Sequence, residues 1–233
     1  MSFVFGLVTE GYNDQTVIRA VIEKLASQQT SEVTVVYRQV QPPRIDATSS
    51  GSGGWTEVRK WCLRNQEQDR QRLIFSRSLT GEPACNALIV QLDGDCLHEY
   101  AAVSGAPILQ EEPWPAAYRA GYVERLLKSW LWPAGQVDKR CVLVVPVQSM
   151  ETWLAAALDL RWHQPENDDP VPKLIALKPD MEDKSRPGRL RKKRIKKQYK
   201  NMAQSLVFNI QSVRRRCRQF DYFCVYIESI FSM

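Results

Sequence analysis

The chain has 233 residues, of which 44% are hydrophobic and 25% charged, and its formal charge is +6 at pH 7. This composition allows a sizeable buried core and excludes a wholly disordered chain. The longest apolar runs are far shorter than the ~20 residues that a membrane-spanning helix needs, so we expect no membrane partner.

The first two predicted strands flank a helix. Residues 3–8 form an apolar run without alternation, which is typical of a strand buried in a parallel sheet, and Glu10 follows closely. Asp14 stands where a helix begins, and apolar residues recur at helical spacing from there to residue 25. Residues 32–40 form the second strand and lead into a loop rich in Pro, Ser and Gly.

The middle of the chain contains a third strand with an acidic end. A polar helix is predicted over residues 55–70, and an apolar strand over residues 87–92. That strand ends in Asp93, Gly94 and Asp95, and an extended backbone would place both carboxylates on one face. Gly94 is expected to relieve crowding between them.

A fourth strand, over residues 140–147, also has a polar end. It is preceded by a stretch over residues 99–115 that is expected to be irregular, and by a helix over residues 116–130. Ser149 and Glu151 follow the strand, and a further helix begins just after them. Three of the four predicted strands therefore end in carboxylates.

Alternating strands and helices predict an α/β fold, with a mostly parallel four-stranded sheet flanked by helices. We assign residues 1–162 to this domain. Residues 163–233 are expected to form a basic, mainly helical C-terminal extension that packs on the core. Within the extension, residues 222–227 are a candidate for a short strand.

The sequence has six cysteines and two histidines, and their spacing limits the kinds of metal site and disulfide that it can form. The cysteines form no Cys-x-x-Cys pair, so a structural zinc site is not expected. The first apolar run has no basic segment ahead of it, which argues against a secretion signal. We therefore expect reduced thiols in a cytoplasmic protein.

The net charge conceals an uneven distribution along the sequence. Residues 184–218 hold 14 Lys and Arg and no acid, which leaves 18 bases against 26 acids, a charge of −8, for the rest of the chain. A basic segment of this kind predicts a polyanionic partner, and we expect DNA or RNA. The candidate nucleic-acid-binding residues are Arg189, Arg191, Lys192, Lys193, Arg194, Lys196, Lys197 and Lys200.

Two further points concern the same segment. We expect Arg214, Arg215 and Arg216 to continue its phosphate-binding face. No base-reading motif accompanies it, so sequence-specific recognition is not predicted. The sequence leaves open that the segment docks on an acidic protein partner instead.

The acidic strand ends predict a metal site. In an open parallel sheet, ligands bind at the edge where the strands end, and carboxylates gathered there repel each other unless a cation lies between them. Hard oxygen ligands of this kind select Mg²⁺ or Mn²⁺. The carboxylates concerned are Glu10, Asp14, Asp93, Asp95 and Glu151.

The order of these motifs resembles the Toprim domain that topoisomerases, primases and related nucleases share. That family has a Glu after its first strand and an Asp-x-Asp after its third, to which Glu10, Asp93 and Asp95 correspond. The resemblance spans about residues 3–160 and does not cover the basic C-terminal third.

Two further motifs are more similar to one branch of that family, the overcoming-lysogenization-defect (OLD) nucleases and the small Toprim proteins related to them. Asp14 matches an Asp four residues after the first Glu, and Ser149 and Glu151 match a Ser-x-Glu after a later strand. OLD nucleases also carry an ATPase domain. This sequence has no phosphate-binding loop, because the glycines of residues 51–54 are not followed by Lys.

The resemblance implies a Toprim-like fold and an endonuclease that hydrolyses DNA or RNA with two Mg²⁺ or Mn²⁺ ions. The five carboxylates are the implied catalytic residues, and Ser149 would orient a ligand of the metal. The implied metal ligands are Glu10, Asp14, Asp93, Asp95, Ser149 and Glu151. The resemblance also implies an antiphage defence role with a separate ABC-type ATPase encoded nearby.

Alternatives from other classes stay open at this point. One is a non-catalytic nucleic-acid-binding or regulatory subunit that keeps a Toprim shell. Another is a nucleotidyl- or glycosyltransferase that uses its Asp-x-Asp, for which the sequence offers no nucleotide-sugar motif. The sequence does not decide whether the chain forms a homo-oligomer.

Overall fold

The architecture comes from a computed structural model of the full chain. The structure describes residues 1–29, 32–41, 54–66, 74–76, 83–108, 112–135, 138–190 and 196–232. Within those ranges, the helices are too short or too polar to cross a membrane.

Four strands form one sheet in the order β2-β1-β3-β4, and each neighbouring pair is parallel. The strands are β1 (Ser2–Val8), β2 (Thr34–Gln41), β3 (Ala87–Gln91) and β4 (Cys141–Val144). Almost every residue of β1 and β3 is buried, as expected for central strands covered on both faces. The predicted α/β class with a parallel sheet is confirmed.

Helices cover both faces of the sheet, in the three-layer arrangement typical of α/β domains. The described helices are α1 (Tyr12–Ala26), α2 (Trp55–Arg64), α3 (Leu97–Ser104), α4 (Ala116–Leu131), α5 (Glu151–Leu158), α6 (Pro170–Leu177), α7 (Lys196–Phe208), α8 (Ile210–Arg216) and α9 (Arg218–Phe231). A 3-10 turn, Pro179–Met181, follows α6. Helices α2, α3 and α4 share one hydrophobic cluster, and the other helices share the second.

The two clusters meet at β1 because its side chains alternate between the faces. Phe3, Phe5 and Leu7 enter the cluster that contains α1, α5 and α9. Val4 and Val8 enter the cluster that contains α2, α3 and α4. This alternation fixes the register of β1 between the two helical layers.

Helix α9 closes the first cluster against β1. The Phe231 ring lies 5.1 Å from the Phe3 ring and 5.9 Å from the Phe5 ring, both in edge-to-face contact. At the other end of α9, the buried Glu166 side chain accepts hydrogen bonds from the N–H groups of Arg218 and Gln219. Helix α9 thus packs on the sheet through Phe231, and its first turn is held by Glu166 from within the extension, while the predicted boundary at residue 162 stays a prediction.

Two expectations about secondary structure are wrong. The stretch over residues 99–115 was expected to be irregular, but its start belongs to α3, which buries Leu97 and Tyr100 one turn apart. Residues 222–227 lie inside α9 and form no strand, because Phe220, Phe223 and Ile227 follow a helical period on its buried side.

Candidate metal centre

The acidic residues gather at the edge of the sheet where β1, β3 and β4 end. Strand order changes direction between β1 and β3, because β2 lies on one side of β1 and β3 on the other. Such a switch point is where open α/β sheets bind ligands. Glu10 follows β1, Asp93 and Asp95 follow β3, and Glu151 begins the helix after β4.

A ring of hydrogen bonds joins the ends of β1 and β3. The N–H of Asp93 donates to Glu10 Oε1 at 2.7 Å, and the N–H of Glu10 donates to Gln91 Oε1 at 3.1 Å. Gln91 Nε2 closes the ring by donating to Asp93 Oδ1 at 2.8 Å. Gln91 is fully buried, so it fixes the relative orientation of the two acids.

Gly94 holds the turn between the two aspartates close to the segment that follows β4. Its N–H lies 3.0 Å from the Pro146 carbonyl and 2.9 Å from the Gln148 carbonyl. A Cβ at this position would lie 2.0 Å from the Val147 oxygen, so any larger residue would push the turn away. The glycine is therefore needed for a close backbone approach, which is a stronger constraint than the expected crowding between the carboxylates.

Two side chains hold the same turn from the helical layer of α3 and α4. The Tyr100 hydroxyl donates to the Asp93 carbonyl at 2.8 Å, and Arg119 Nη1 donates to the Gly94 carbonyl at 2.9 Å. The guanidinium of Arg119 also lies over the Trp114 ring and interacts with the charge of Asp95. Arg119 thus places a cation beside the acidic cluster.

Asp14 and Glu151 approach the cluster from the first turns of α1 and α5, where the helix dipole favours an anion. The carboxylate of Asp14 accepts a hydrogen bond from the N–H of Gly11. Glu151 accepts a hydrogen bond from the hydroxyl of Tyr199, which is buried on α7. Ser149, also buried, lies two residues before the start of α5.

The carboxylates share one electrostatic environment. Burial, and then the charges of Asp95 and Glu151, raise the pKa of Glu10 to about 7, although the N–H groups of Asp93 and Trp55 lower it by donating to the carboxylate. Glu10 therefore holds a proton in a large fraction of molecules at neutral pH when no cation is bound.

The three aspartates respond in the same direction. Burial is the largest cause for each, and it raises the pKa values of Asp14 and Asp93 well above the ordinary value for aspartate and that of Asp95 in the same direction. The charges of Glu10 and Glu151 add to the effect on Asp14 and Asp93. Mutual repulsion of this kind is what a bound cation relieves.

The donor chemistry fits a hard divalent cation, because every member of the cluster offers carboxylate oxygens. As the side chains stand, no three acidic, histidine or cysteine residues in the described part of the chain are arranged to hold a metal ion together. Loading the site would therefore require rotation of the carboxylates. All six cysteines are free thiols, and they lie apart from this donor set except for Cys96, which donates to Asp95.

The structure describes only part of the predicted nucleic-acid-binding segment. Arg189 is exposed, and Lys196, Lys197 and Lys200 are exposed on α7, the helix that carries Tyr199. The other members of the segment lie outside the described residues; they are Arg191, Lys192, Lys193 and Arg194.

Two of the three arginines of α8, Arg214 and Arg216, do not continue a free phosphate-binding face, while Arg215 is exposed. Arg214 forms ion pairs with Asp221 at 2.6 Å and with Glu228 at 2.5 Å. Arg216 donates to three backbone carbonyls at and beyond the end of α5, those of Ala156, Asp159 and Trp162. The guanidinium groups of both residues stabilise the fold, so that expectation is wrong for them.

Comparisons with protein-family models, curated proteins and solved structures find no match for this chain. Sequence patterns also missed three side chains that shape the site. Gln91 leaves a signal, since it interrupts an otherwise apolar strand. Arg119 and Tyr199 leave none, because each lies on a helix whose packing, not its sequence, brings the side chain to the cluster.

Proposed function

We propose that this chain is a metal-dependent endonuclease of Toprim type, which hydrolyses phosphodiester bonds in DNA or RNA with two Mg²⁺ or Mn²⁺ ions. The observation that carries the proposal is the gathering of five carboxylates at adjacent strand ends, where burial and mutual charge raise the pKa values of four of them. The Toprim-like motif order and the basic residues on α7 support it.

Each carboxylate has a distinct position in the proposed site. Glu10, Asp93 and Asp95 would hold one ion and share a second. Asp14 and Glu151, from the starts of α1 and α5, would complete the second site. Cations bound there would activate a water molecule and stabilise the leaving oxygen of the phosphodiester. Ser149 would orient a ligand of the metal.

We propose that basic side chains near the acidic edge of the sheet bind the substrate. Arg119 is the basic residue that the described structure places beside the turn of Asp93 and Asp95, where it would contact a phosphate. Lys196, Lys197 and Lys200 lie exposed on α7 and would contact the backbone farther along the strand. Neither contact reads a base, which fits cleavage without strict sequence preference.

The end chemistry of the products tests the proposal. We expect fragments with 5′-phosphate and 3′-hydroxyl ends, because water attacks phosphorus and the bond to the 3′ oxygen breaks. Labelled single- and double-stranded DNA and RNA would be incubated with Mg²⁺, with Mn²⁺ and with EDTA, and the ends identified by mass spectrometry. Cleavage should stop in EDTA.

Two results would contradict the proposal. Cleavage that persists in EDTA, or products with 2′,3′-cyclic phosphate ends, would indicate metal-independent chemistry. Binding of nucleic acid with no cleavage of any of these substrates would favour the non-catalytic subunit instead.

A double substitution on α7 tests the phosphate contacts separately. In Lys197→Ala/Lys200→Ala, the plot of log affinity against log salt concentration should become shallower by about 1.5, since each lost phosphate contact removes about 0.7–0.9 from the slope. Fluorescence anisotropy of a labelled oligonucleotide in EDTA measures this without cleavage.

The matched control is Lys60→Ala/Lys128→Ala. These lysines are also exposed, but they lie on α2 and α4 and pair with Glu57 and Glu124. The control should keep the wild-type slope. If both double variants showed the same slope of log affinity against log salt concentration, α7 would not be part of the nucleic-acid-binding surface. The antiphage role and the separate ATPase stay predictions from the resemblance.

A further inference from the structure

Helix α7 lies between the two helices that begin at the acidic cluster. It packs against α1, which carries Asp14 in its first turn, and against α5, which begins at Glu151. Tyr199 is the fourth described residue of α7, and only 3% of its surface is exposed. The helix therefore brings a buried hydroxyl group to the site from the C-terminal part of the chain.

The hydroxyl contacts one of the proposed metal ligands directly. Tyr199 Oη donates to Glu151 Oε1. Burial first, and then the charges of Glu151, Asp14 and Asp93, raise the pKa of Tyr199 above its usual value, so the group remains a protonated donor. Because the charges of Asp14 and Asp93 also act on it, the hydroxyl lies near these acids as well as Glu151.

We propose that Tyr199 is a positioning residue of the metal site, which fixes the carboxylate of Glu151 by binding one of its oxygens and directs the other toward the cation. This inference rests on the proposed metal-dependent function. Side chains that hydrogen-bond a metal ligand orient it, and their loss typically weakens metal binding about 10–100-fold.

The acceptor distinguishes Tyr199 from three other buried or half-buried tyrosines, Tyr100, Tyr122 and Tyr226. Their hydroxyls donate to backbone carbonyls, which satisfies the polar group and, for Tyr100, also holds the turn after β3. Tyr199 instead donates to a carboxylate that has another proposed role. A buried hydroxyl needs a hydrogen-bond acceptor, but a backbone carbonyl would satisfy that need. The choice of Glu151, a proposed metal ligand, therefore points to a role in the site.

The position on α7 gives this contact a second consequence. Lys196, Lys197 and Lys200 occupy the exposed side of the helix, and Tyr199 occupies the buried side. One rigid helix thus carries both the proposed phosphate contacts and the hydroxyl that orients Glu151. A displacement of α7 by nucleic acid would be transmitted to the metal site.

Titration of the full chain with Mn²⁺ tests the inference, with the free ion followed by electron paramagnetic resonance. Tyr199→Phe keeps the ring and removes the hydroxyl, and we expect Mn²⁺ affinity to fall by about tenfold or more. Tyr226→Phe removes a hydroxyl on α9 that donates to the Lys139 carbonyl, away from the site, and should bind Mn²⁺ as the wild type does.

A double-mutant cycle shows whether Tyr199 acts through Glu151. In a Glu151→Gln background, Tyr199→Phe should cause little further loss of Mn²⁺ affinity. The rise in melting temperature on adding Mn²⁺ gives a second readout, which compares each variant with itself and so tolerates a change in its starting stability.

The possible outcomes test the role of Tyr199 and the proposed metal-dependent function separately. Undiminished Mn²⁺ affinity in Tyr199→Phe, or an equal loss in the Glu151→Gln background, would overturn the role of Tyr199 and leave the proposed function intact. A wild-type chain that binds no Mn²⁺ would overturn the proposed function and, with it, this inference.

Discussion

Replacing Asp93 by Asn is expected to reduce Mg²⁺-dependent cleavage by at least about a thousandfold, which corresponds to about 4 kcal/mol of transition-state stabilisation. Asp93 is central to the cluster, since the charges of Glu10, Asp14, Asp95 and Glu151 all act on it. The amide keeps the size of the side chain and an oxygen that can accept from Gln91, but it removes the charge that would hold a cation.

A measurement of nucleic-acid binding shows whether Asp93→Asn loses the cleavage step or the affinity for its substrate. Asp93→Asn should bind a labelled oligonucleotide in EDTA at least as tightly as the wild type, because one negative charge near the phosphates is removed. Asp138→Asn makes the same change in a surface turn, where Asp138 pairs with Arg140, and should cleave normally. Wild-type cleavage rates in Asp93→Asn would refute the proposed site.

The second large effect concerns stability in the absence of divalent cations. We expect the melting temperature of the cation-free chain to fall as the pH rises from about 5 to 8. The pKa of Glu10 rises from its ordinary 4.5 to about 7 in the folded state, so the folded chain binds more protons than the unfolded chain between these values. Stability then decreases with increasing pH.

The size of the effect follows from the shift at Glu10. A shift of this size in one group corresponds to about 3 kcal/mol, and for a chain of this length to a fall on the order of 10 °C in melting temperature. The raised pKa values of Asp14 and Asp93 act in the same direction. Carboxyls with lowered pKa values, such as Asp183 at about 2, lose their contribution only under more acidic conditions.

Divalent cations should reverse this loss. Because protons compete with a cation for the carboxylates, Mg²⁺ should raise the melting temperature strongly at pH 8 and little at pH 5. Asp93→Asn should show a flatter pH dependence, since it removes one source of repulsion. Calorimetry in EDTA and in Mg²⁺ measures both effects, and melting temperatures that do not change with pH would contradict the raised pKa values of these carboxyls.

The sequence predicted which strands carry the acids, because that depends on local patterns. The apolar runs before Glu10 and Asp93 identify buried strands, and parallel strands end at one edge of their sheet. The acids following β1, β3 and β4 are accordingly placed together. Helix α3 was missed because it is short and its buried residues Leu97 and Tyr100 show less than two turns of periodicity.

The supporting side chains could not be predicted, since their contacts depend on how distant elements pack. Tyr199 reaches Glu151 only because α7 settles between α1 and α5. Arg119 reaches the carbonyl of Gly94 from α4 in the same way. Arg214 on α8 shows the converse, because a run of bases looks alike in sequence whether its members face a phosphate or, like Arg214, pair with acids such as Asp221 and Glu228.

The contact of α9 with β1 has a consequence for how the protein is made. The ribosome synthesises Phe3 and Phe5 at the start of the described chain, but their partner Phe231 comes near its end. The part of the sheet that α9 covers therefore stays exposed until α9 has been made, and strands exposed in this way are prone to aggregate. Tyr199 is also made after all five carboxylates, so its contact with Glu151 forms only after every acid of the cluster has been synthesised.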